Sequence, residues 1–251
     1  MPGETSARMA SVFIDALLTG RVPIIMEVKR SDGEGAELMG ERTIAEIVAQ
    51  YVKADAPCIS VVTGRWFGGN DAMLEEVAGL TDLPLLKKDF ITREKQIVAA
   101  KEMGASAVLL TAKILPSKTF QHLIELALSH GLTPFVEIVD QEELASVIHP
   151  QDCVIAVNNK DINTREREPG DIDTSRSLLE ATIETGTPCP VSASAITDPR
   201  IAAELTDAGF RGLLIGTGLL RADSIQGWVD EFERHRAELR APVIGNHPPR
   251  S

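Results

Sequence analysis

Residues 107–138 read AVLLTAKILPSKTFQHLIELALSHGLTPFVEI, and this stretch contains the unit that decides the fold. Two short apolar runs, Ala107–Thr111 and Thr133–Ile138, flank a longer amphipathic segment at 117–130. Gly131 follows that segment, at the place where a helix commonly ends in a left-handed residue. The stretch therefore predicts a strand, a helix and a second strand, the unit from which parallel sheets are built.

The same alternation continues along most of the chain. We predict eight strands, at 24–28, 58–62, 85–88, 107–111, 133–138, 154–157, 190–194 and 213–216. Helices are predicted at 43–54, 71–78, 93–103, 117–130, 141–147, 174–184, 199–208 and 225–239. Eight strand–helix units in a chain of 251 residues predict a single closed (β/α)8 barrel, the TIM barrel, in the α/β class.

The competing architecture is a doubly wound open sheet, which usually carries a glycine-rich loop after its first strand. Here the first strand leads into Glu27-Val28-Lys29-Arg30-Ser31, which has no such loop. We therefore favour one barrel domain over residues 1–251. We expect a helical extension at 1–21, with its helix at 5–19, and a flexible tail at 241–251.

Composition and charge exclude several functions. The 25 Lys and Arg residues against 37 Asp and Glu residues give a formal net charge of −12, which argues against nucleic-acid and anionic-membrane partners. Cys58, Cys153 and Cys189 are far apart, so we expect reduced core thiols and no metal site. Without a transmembrane or signal segment, we expect a cytoplasmic monomer or homodimer.

Polar residues at the ends of the predicted strands are the candidates for catalysis, because TIM-barrel active sites lie there. Glu27 and Lys29 are two residues apart and so point to the same side, either as reacting groups or as a salt bridge that caps the strand. One of the adjacent Lys87 and Lys88 must point inward. Glu137 lies within an apolar strand, where it is a candidate for proton transfer or a core ion-pair partner.

Small and polar residues follow the last three strands. Asn158 ends strand six, where its amide either orients a substrate hydroxyl or satisfies a loop. Ser194 follows strand seven, and Gly216-Thr217-Gly218 follows strand eight. Backbone N–H groups at these two turns are the usual phosphate site of a TIM barrel. We therefore predict an anion site formed by Ser194, Gly216 and Thr217.

These motifs resemble the indole-3-glycerol-phosphate synthase family over about residues 22–221. The matching stretches are IMEVKR (25–30), SVVT (60–63), WFGG (66–69), LKKDFI (86–91), QI (96–97), GA (104–105), VLL (108–110), VEI (136–138), VNNKD (157–161) and LIG (214–216). The resemblance implies a lyase of tryptophan biosynthesis. Such an enzyme closes an indole ring from 1-(2-carboxyphenylamino)-1-deoxyribulose 5-phosphate, with loss of CO2 and water and with no cofactor.

The same resemblance assigns expected roles to residues of this chain. Lys88 is expected to engage the substrate carbonyl region, Lys29 to be a second acid, and Glu137 to accept a proton. The remaining assignments are Glu27 and Asn158 for orientation, Phe67 and Phe90 for the anthranilate ring, Lys160 for the carboxylate, and Ser194, Gly216 and Thr217 for the phosphate.

The chain departs from the family pattern in one region. Ser31-Asp32-Gly33-Glu34-Gly35 replaces a Ser-Pro-Ser loop that accepts the substrate carboxylate, and we expect Asp32 and Glu34 to repel that anion. Ala193-Ser194-Ala195 replaces Glu-Ser-Gly, and Lys160 replaces an arginine. Two alternatives therefore stay open: a diverged enzyme acting on a related amino-sugar phosphate, and a barrel that binds a phosphorylated ligand without catalysis.

Overall fold

The computed structural model describes residues 11–160 and 170–241. Its eight parallel strands are β1 (Ile24–Val28), β2 (Ile59–Val62), β3 (Leu85–Lys88), β4 (Ala107–Thr111), β5 (Thr133–Ile138), β6 (Val154–Asn158), β7 (Cys189–Ala193) and β8 (Gly212–Ile215). They pair in chain order, and β8 pairs with β1, so the sheet closes on itself. The predicted TIM barrel is confirmed, and the open sheet is excluded.

Helices precede, separate and follow the strands. Helix α1 (Val12–Thr19) precedes β1, and the predicted helix residues 5–10 lie outside the described part of the chain, as does the predicted tail from 242 onward. The others are α2 (Ile44–Lys53), α3 (Asp71–Ala78), α4 (Glu94–Glu102), α5 (Ser117–Ser129), α6 (Gln141–Ala145), α7 (Ile172–Glu184), α8 (Pro199–Ala208), α9 (Thr217–Leu220) and α10 (Ile225–Arg240).

Local signals explain where several helices begin and end. Thr43 caps α2 through a reciprocal pair of hydrogen bonds with Glu46, which satisfies backbone N–H groups that the helix itself leaves free. Asp198 caps α8, and Pro199 occupies its first turn, where no N–H donor is needed. Gly131 has a φ of 65° after α5, in the left-handed region that glycine enters without steric cost.

Two apolar clusters fill the protein. The larger one includes Ile24, Met26, Ile47, Tyr51 and other residues of the strands and the outer helices. The smaller one takes residues from α1 and from each strand or its first flanking residue, namely Phe13, Leu17, Ile25, Cys58, Leu86, Leu109, Phe135, Ala156, Val191 and Leu214 among others. This second cluster is the filled barrel interior, which α1 closes at the amino-terminal end of the strands.

The two-residue period of a strand places a second set of side chains above that interior cluster. Counting two residues onward from each interior residue gives Glu27, Ser60, Lys88, Thr111, Glu137, Asn158, Ala193 and Gly216. Most of these are polar or charged, whereas the cluster below them is apolar. Most of the buried polar and charged side chains of the strands therefore lie at the carboxyl end of the barrel.

Three further findings bear on the sequence predictions. Cys58, Cys153 and Cys189 are free and buried, as expected for core thiols. Among the described residues, no helix is both long and apolar enough to cross a membrane. Helix α9 was not predicted, because its four residues are too few to show a periodic pattern.

Candidate active site at the carboxyl ends of the strands

Glu27 is the centre of a buried charge cluster. Its Oε1 lies 3.2 Å from Nζ of Lys29, and its Oε2 lies 3.6 Å from Nζ of Lys88. The Ser60 hydroxyl donates to Oε2 at 3.4 Å. All three charged side chains are nearly fully buried, so one carboxylate holds two ammonium groups in a place with little water. The same-side placement predicted for Glu27 and Lys29 is confirmed.

The electrostatics of the cluster keep Glu27 ionised. Burial by itself raises the pKa of the Glu27 carboxyl, but the Lys88 and Lys29 ammonium groups and the Ser60 hydroxyl outweigh burial and leave the pKa below its ordinary value. The ionised Glu27 thus holds the Lys29 and Lys88 ammonium groups at one carboxylate. The cluster can therefore present two acids at one point.

An aromatic ring lies beside both lysines. Phe67 belongs to a short 3-10 turn, Arg65–Phe67, which follows β2. Nζ of Lys29 and Nζ of Lys88 each lie 5.9 Å from the centroid of the Phe67 ring, within cation–π range. Phe90 packs edge-on against Trp66, with the ring centroids 5.5 Å apart. The predicted ring-site residues thus lie on neighbouring loops, and Phe67 directly faces the lysines.

The two adjacent lysines of β3 have opposite environments. Lys88 points to Glu27 in the barrel, whereas the Lys87 ammonium forms an ion pair with Asp71 at the start of α3. Both lysines are buried, so the expectation that one of them points inward is correct, and the other is not a solvated surface lysine. The alternation of side chains along a strand separates them.

Gly216 makes room for the cluster. A Cβ atom at this position would lie 2.5 Å from Oε1 of Glu27, a distance that real Cβ contacts do not show. The φ of Gly216 is −114°, so the requirement is for space rather than for a left-handed backbone. Any side chain here would push Glu27 away from Lys29 and Lys88.

Glu137 and Asn158 lie at the same end of the barrel, on β5 and β6. The Thr111 hydroxyl donates to Oε1 of Glu137 at 3.4 Å. Asn158 accepts a hydrogen bond from the backbone N–H of Lys160 at 3.0 Å, but its amide nitrogen is buried without a partner among the described residues. Because a buried donor is costly when unsatisfied, this N–H group is available to a ligand.

The turn after β7 is strained. Ser194 has a φ of 68° and Ala195 a φ of 60°, so two residues with a Cβ occupy the left-handed region in succession. Asn159 stabilises this turn, because its amide donates to the Ser192 hydroxyl and to the carbonyl oxygens of Ala193 and Ser194, each at 3.0 Å. The positioning role of Asn159 was not predicted from the sequence.

A cavity of about 300 Å³ opens at this end of the barrel. Seven of the eleven predicted site residues line it: Glu27, Lys29, Lys88, Lys160, Ser194, Gly216 and Thr217. Glu137, Asn158, Phe67 and Phe90 are not among its lining residues. Arg221, which the sequence analysis did not single out, also lines it. The sequence signal that could have identified Arg221 is its position three residues after Gly218, the last residue of the turn that follows β8.

The loop after β1 bears on one expectation from the sequence. Asp32 does not face the cavity as an unpaired negative charge, because its Oδ2 accepts a hydrogen bond from Nη2 of Arg221 at 2.6 Å. Its Oδ1 accepts the backbone N–H groups of Glu34 and Ala36 at 3.0 and 2.9 Å. Glu34 is exposed, and neither Asp32 nor Glu34 is among the residues that line the cavity. Asp32 is thus bonded within the protein rather than unpaired, while repulsion of the substrate carboxylate stays a prediction.

The described residues hold no group of three or more His, Cys, Asp and Glu side chains that could bind a metal ion. The described residues at this site supply three ammonium groups, one guanidinium, two carboxylates, one unpaired amide donor and an aromatic wall. Such a set suits proton transfer on an aromatic, anionic substrate.

Comparison with known proteins identifies the family. The model of the family described as indole-3-glycerol phosphate synthase matches residues 4–232. The indole-3-glycerol phosphate synthase of Lachnospira eligens is 32% identical over 240 residues, covering 94% of this chain and 88% of that protein. The enzyme of the same name from Pyrococcus furiosus is 35% identical over 214 residues, covering 84% of this chain and 91% of that protein.

A solved structure supports the fold alone. A thiamine phosphate pyrophosphorylase from Pyrococcus furiosus superposes with a TM-score of 0.59 at 15% identity, over 87% of this chain and 96% of that one. The match of the family model over most of the chain, together with relatives above 30% identity, carries the assignment. On these grounds the chain is a member of the indole-3-glycerol phosphate synthase family.

Proposed function

We propose that this protein is an indole-3-glycerol phosphate synthase, a lyase of tryptophan biosynthesis acting in the cytoplasm. It converts 1-(2-carboxyphenylamino)-1-deoxyribulose 5-phosphate into indole-3-glycerol phosphate, CO2 and water. The observation that carries the proposal is the cluster in which Glu27 holds Lys29 and Lys88 beside the Phe67 ring. Ring closure and the dehydration that follows it each need an acid near the aromatic system, and this cluster supplies both.

The first step is formation of the carbon–carbon bond. The ring carbon that bears the carboxylate attacks the ketone carbon of the sugar chain, and the carbonyl π electrons move to oxygen. Lys88 donates a proton to that oxygen, while Glu27 holds the ammonium group in position at 3.6 Å. The carbon–carboxylate bond then breaks, CO2 leaves, and its electron pair restores the aromatic ring.

The second step is dehydration. Lys29 protonates the new hydroxyl group, which departs as water while the anilino nitrogen supplies an electron pair. Glu137 then removes the remaining proton from the neighbouring carbon, and the pyrrole ring becomes aromatic. The unpaired amide donor of Asn158 suits a sugar hydroxyl or the departing oxygen, so it orients the chain during these transfers.

Binding residues surround these groups. Phe67 and Phe90, which lie beside the cavity's lysines and on the neighbouring loop rather than in the cavity lining, are assigned to the anthranilate ring. Lys160, which lines the cavity, offers a cation for the carboxylate. Ser194, Gly216 and Thr217 also line the cavity, and we assign the phosphate to them. The residues that reach the reacting atoms therefore come from β1, β3, β5 and β6, and those that bind the phosphate come from the turns after β7 and β8.

A second candidate is a related enzyme whose substrate lacks this carboxylate or carries it elsewhere. The observation that favours it is Ala193, which is fully buried at the barrel position where the family pattern has a glutamate. That substrate would be another aryl- or alkylamino-sugar phosphate. The two candidates differ in whether CO2 is released.

The test is the appearance of indole fluorescence when the purified protein is mixed with the arylamino-deoxyribulose phosphate. We expect time-dependent formation of the product, whose mass equals that of the substrate minus CO2 and water. The dephosphorylated substrate is the control, and we expect its KM to be much higher. A product of any other mass, or no product at all, would refute the proposal.

A further inference from the structure

Arg221 is an arginine at the edge of the active-site cavity. It directly follows α9, and its side chain lines the same cavity as Ser194, Gly216 and Thr217. The side chain is 57% exposed, so the guanidinium lies towards the opening rather than in the barrel interior. It is thus placed beside the turns to which the proposed function assigns the phosphate.

Asp32, in the loop after the neighbouring strand β1, fixes the position of that guanidinium. One carboxylate oxygen is held by the Glu34 and Ala36 N–H groups, and the other accepts from Nη2 of Arg221 at 2.6 Å. Burial raises the pKa of the Asp32 carboxyl, but the two backbone hydrogen bonds and the Arg221 and Lys29 cations outweigh burial and lower the pKa overall. Asp32 is therefore a charged and anchored partner at neutral pH.

The Arg221 side chain keeps most of its hydrogen-bonding capacity. A guanidinium has five N–H donors, and Asp32 takes one of them. Within the part of the chain that the structure describes, the Arg221 side chain makes no other hydrogen bond. A planar guanidinium held on one side by a carboxylate can still present two parallel N–H groups to a phosphate.

The same loop has a second attachment that does not involve Asp32. Nη2 of Arg42 donates to the carbonyl oxygen of Leu220 at 2.7 Å and to that of Leu38 at 2.7 Å. The Ser31 N–H donates to the carbonyl oxygen of Phe67 at 3.2 Å. These bonds do not involve the Asp32 side chain, and they hold the loop against Leu220 and Phe67. Replacing Asp32 by a neutral residue therefore frees the Arg221 guanidinium while the loop keeps its position.

The geometry points to Arg221 as a binding residue for the substrate phosphate and to Asp32 as the positioning residue that aims it. This inference rests on the proposed function and extends it, because it names a phosphate ligand outside the turns after β7 and β8. It also gives a role to a loop that departs from the Ser-Pro-Ser pattern. Asp32 replaces a neutral residue of that pattern, and its carboxylate orients the Arg221 guanidinium.

The experiment compares five variants with the parent: Arg221→Ala, Arg221→Lys, Asp32→Asn, Glu34→Gln and the double variant Arg221→Ala/Asp32→Asn. Asparagine keeps the oxygen that accepts the Glu34 and Ala36 N–H groups and loses only the charge facing Arg221. Glu34→Gln removes the same charge from the same loop at an exposed position, and it is the matched control. Circular dichroism and thermal unfolding check that each variant is folded.

Two readouts are measured. For Arg221→Ala we expect KM for the arylamino-deoxyribulose phosphate and Kd for inorganic phosphate to rise by about 10–100-fold, with kcat within about threefold of the parent. Arg221→Lys should recover part of the loss, and Asp32→Asn should show a smaller rise in both constants. Glu34→Gln should leave Kd for inorganic phosphate unchanged. Because Asp32 acts through Arg221, the double variant should match Arg221→Ala alone.

Several results would overturn the inference. One is unchanged phosphate affinity in Arg221→Ala, and another is a parent protein that binds no phosphate. A third is additive losses in the double variant, since Asp32 would then act independently of Arg221. If the protein binds phosphate through Arg221 but forms no indole product, the proposed function fails while this inference stands.

Discussion

Glu27 and Lys88 lie on strands that are not neighbours, β1 and β3, yet Oε2 of Glu27 is 3.6 Å from Nζ of Lys88. The contact spans the barrel end above Ser60 of β2, which also donates to Glu27. Burying three charges is expensive, because each loses its hydration. A buried ion-pair cluster contributes little net stability, so we attribute this one to the proposed chemistry of the site.

Replacing Lys88 removes the proposed acid. We expect Lys88→Met to lower kcat about 10²–10⁴-fold, because a positioned proton donor is lost, with the fold retained. The matched control is Lys87→Met, which removes the adjacent buried lysine on the outer side of the barrel. That control should lose stability but keep kcat within a few-fold. Equal turnover losses in both variants would show that Lys88 has no special role.

Replacing Glu137 tests the proposed base. Glu137→Gln keeps the shape and an oxygen that can accept the Thr111 hydroxyl, but it cannot take a proton at neutral pH. We expect kcat to fall about 10²–10⁴-fold with little change in KM. Steady-state kinetics on the folded variant measure both constants. Turnover within a few-fold of the parent would remove Glu137 from the mechanism.

Glu27 should make stability depend on pH on the acid side. Its folded-state pKa lies below the ordinary value of 4.5, so between these two values the unfolded chain binds more protons. The contribution of Glu27 is fully present above that ordinary value and is lost as pH falls through the folded-state pKa. Urea unfolding over about pH 3–7 should show a steeper acid loss for the parent than for Glu27→Gln. Parallel curves would contradict the assigned ion pairs.

The turn after β7 offers a stabilising substitution. A residue with a Cβ pays roughly 1–2 kcal/mol in the left-handed region, and glycine costs about 0.4–1 kcal/mol of extra chain entropy. We therefore expect Ala195→Gly to raise the free energy of unfolding by roughly 0.5–1 kcal/mol. Ala193→Gly, two residues earlier in a buried strand, should be destabilising instead. Denaturant unfolding measures the free energy of unfolding of both variants. A lower value for Ala195→Gly than for the parent would contradict the proposed backbone strain at Ala195.

The sequence predicted those parts of the site that depend on local periodicity. The two-residue spacing of Glu27 and Lys29 placed both on one side of a strand, and the same rule separates Lys87 from Lys88. Contacts between loops that are far apart in the chain produce no periodic pattern in the sequence, so they were not predicted. Asp32 and Arg221 are 189 residues apart, and their pairing depends on how two loops meet at the closed barrel. The φ values of Ser194 and Ala195 likewise follow from the tertiary structure, since neither residue type favours them.

The central claim is that the Glu27–Lys29–Lys88 cluster closes an indole ring with decarboxylation. The most direct measurement uses substrate labelled with carbon-13 in its carboxyl group and follows labelled CO2 and indole product together. We predict one molecule of labelled CO2 for each molecule of indole-3-glycerol phosphate with the parent protein, and almost none of either with Lys88→Met. Product that forms without release of the label, or no turnover of this substrate by the folded parent, would contradict the claim.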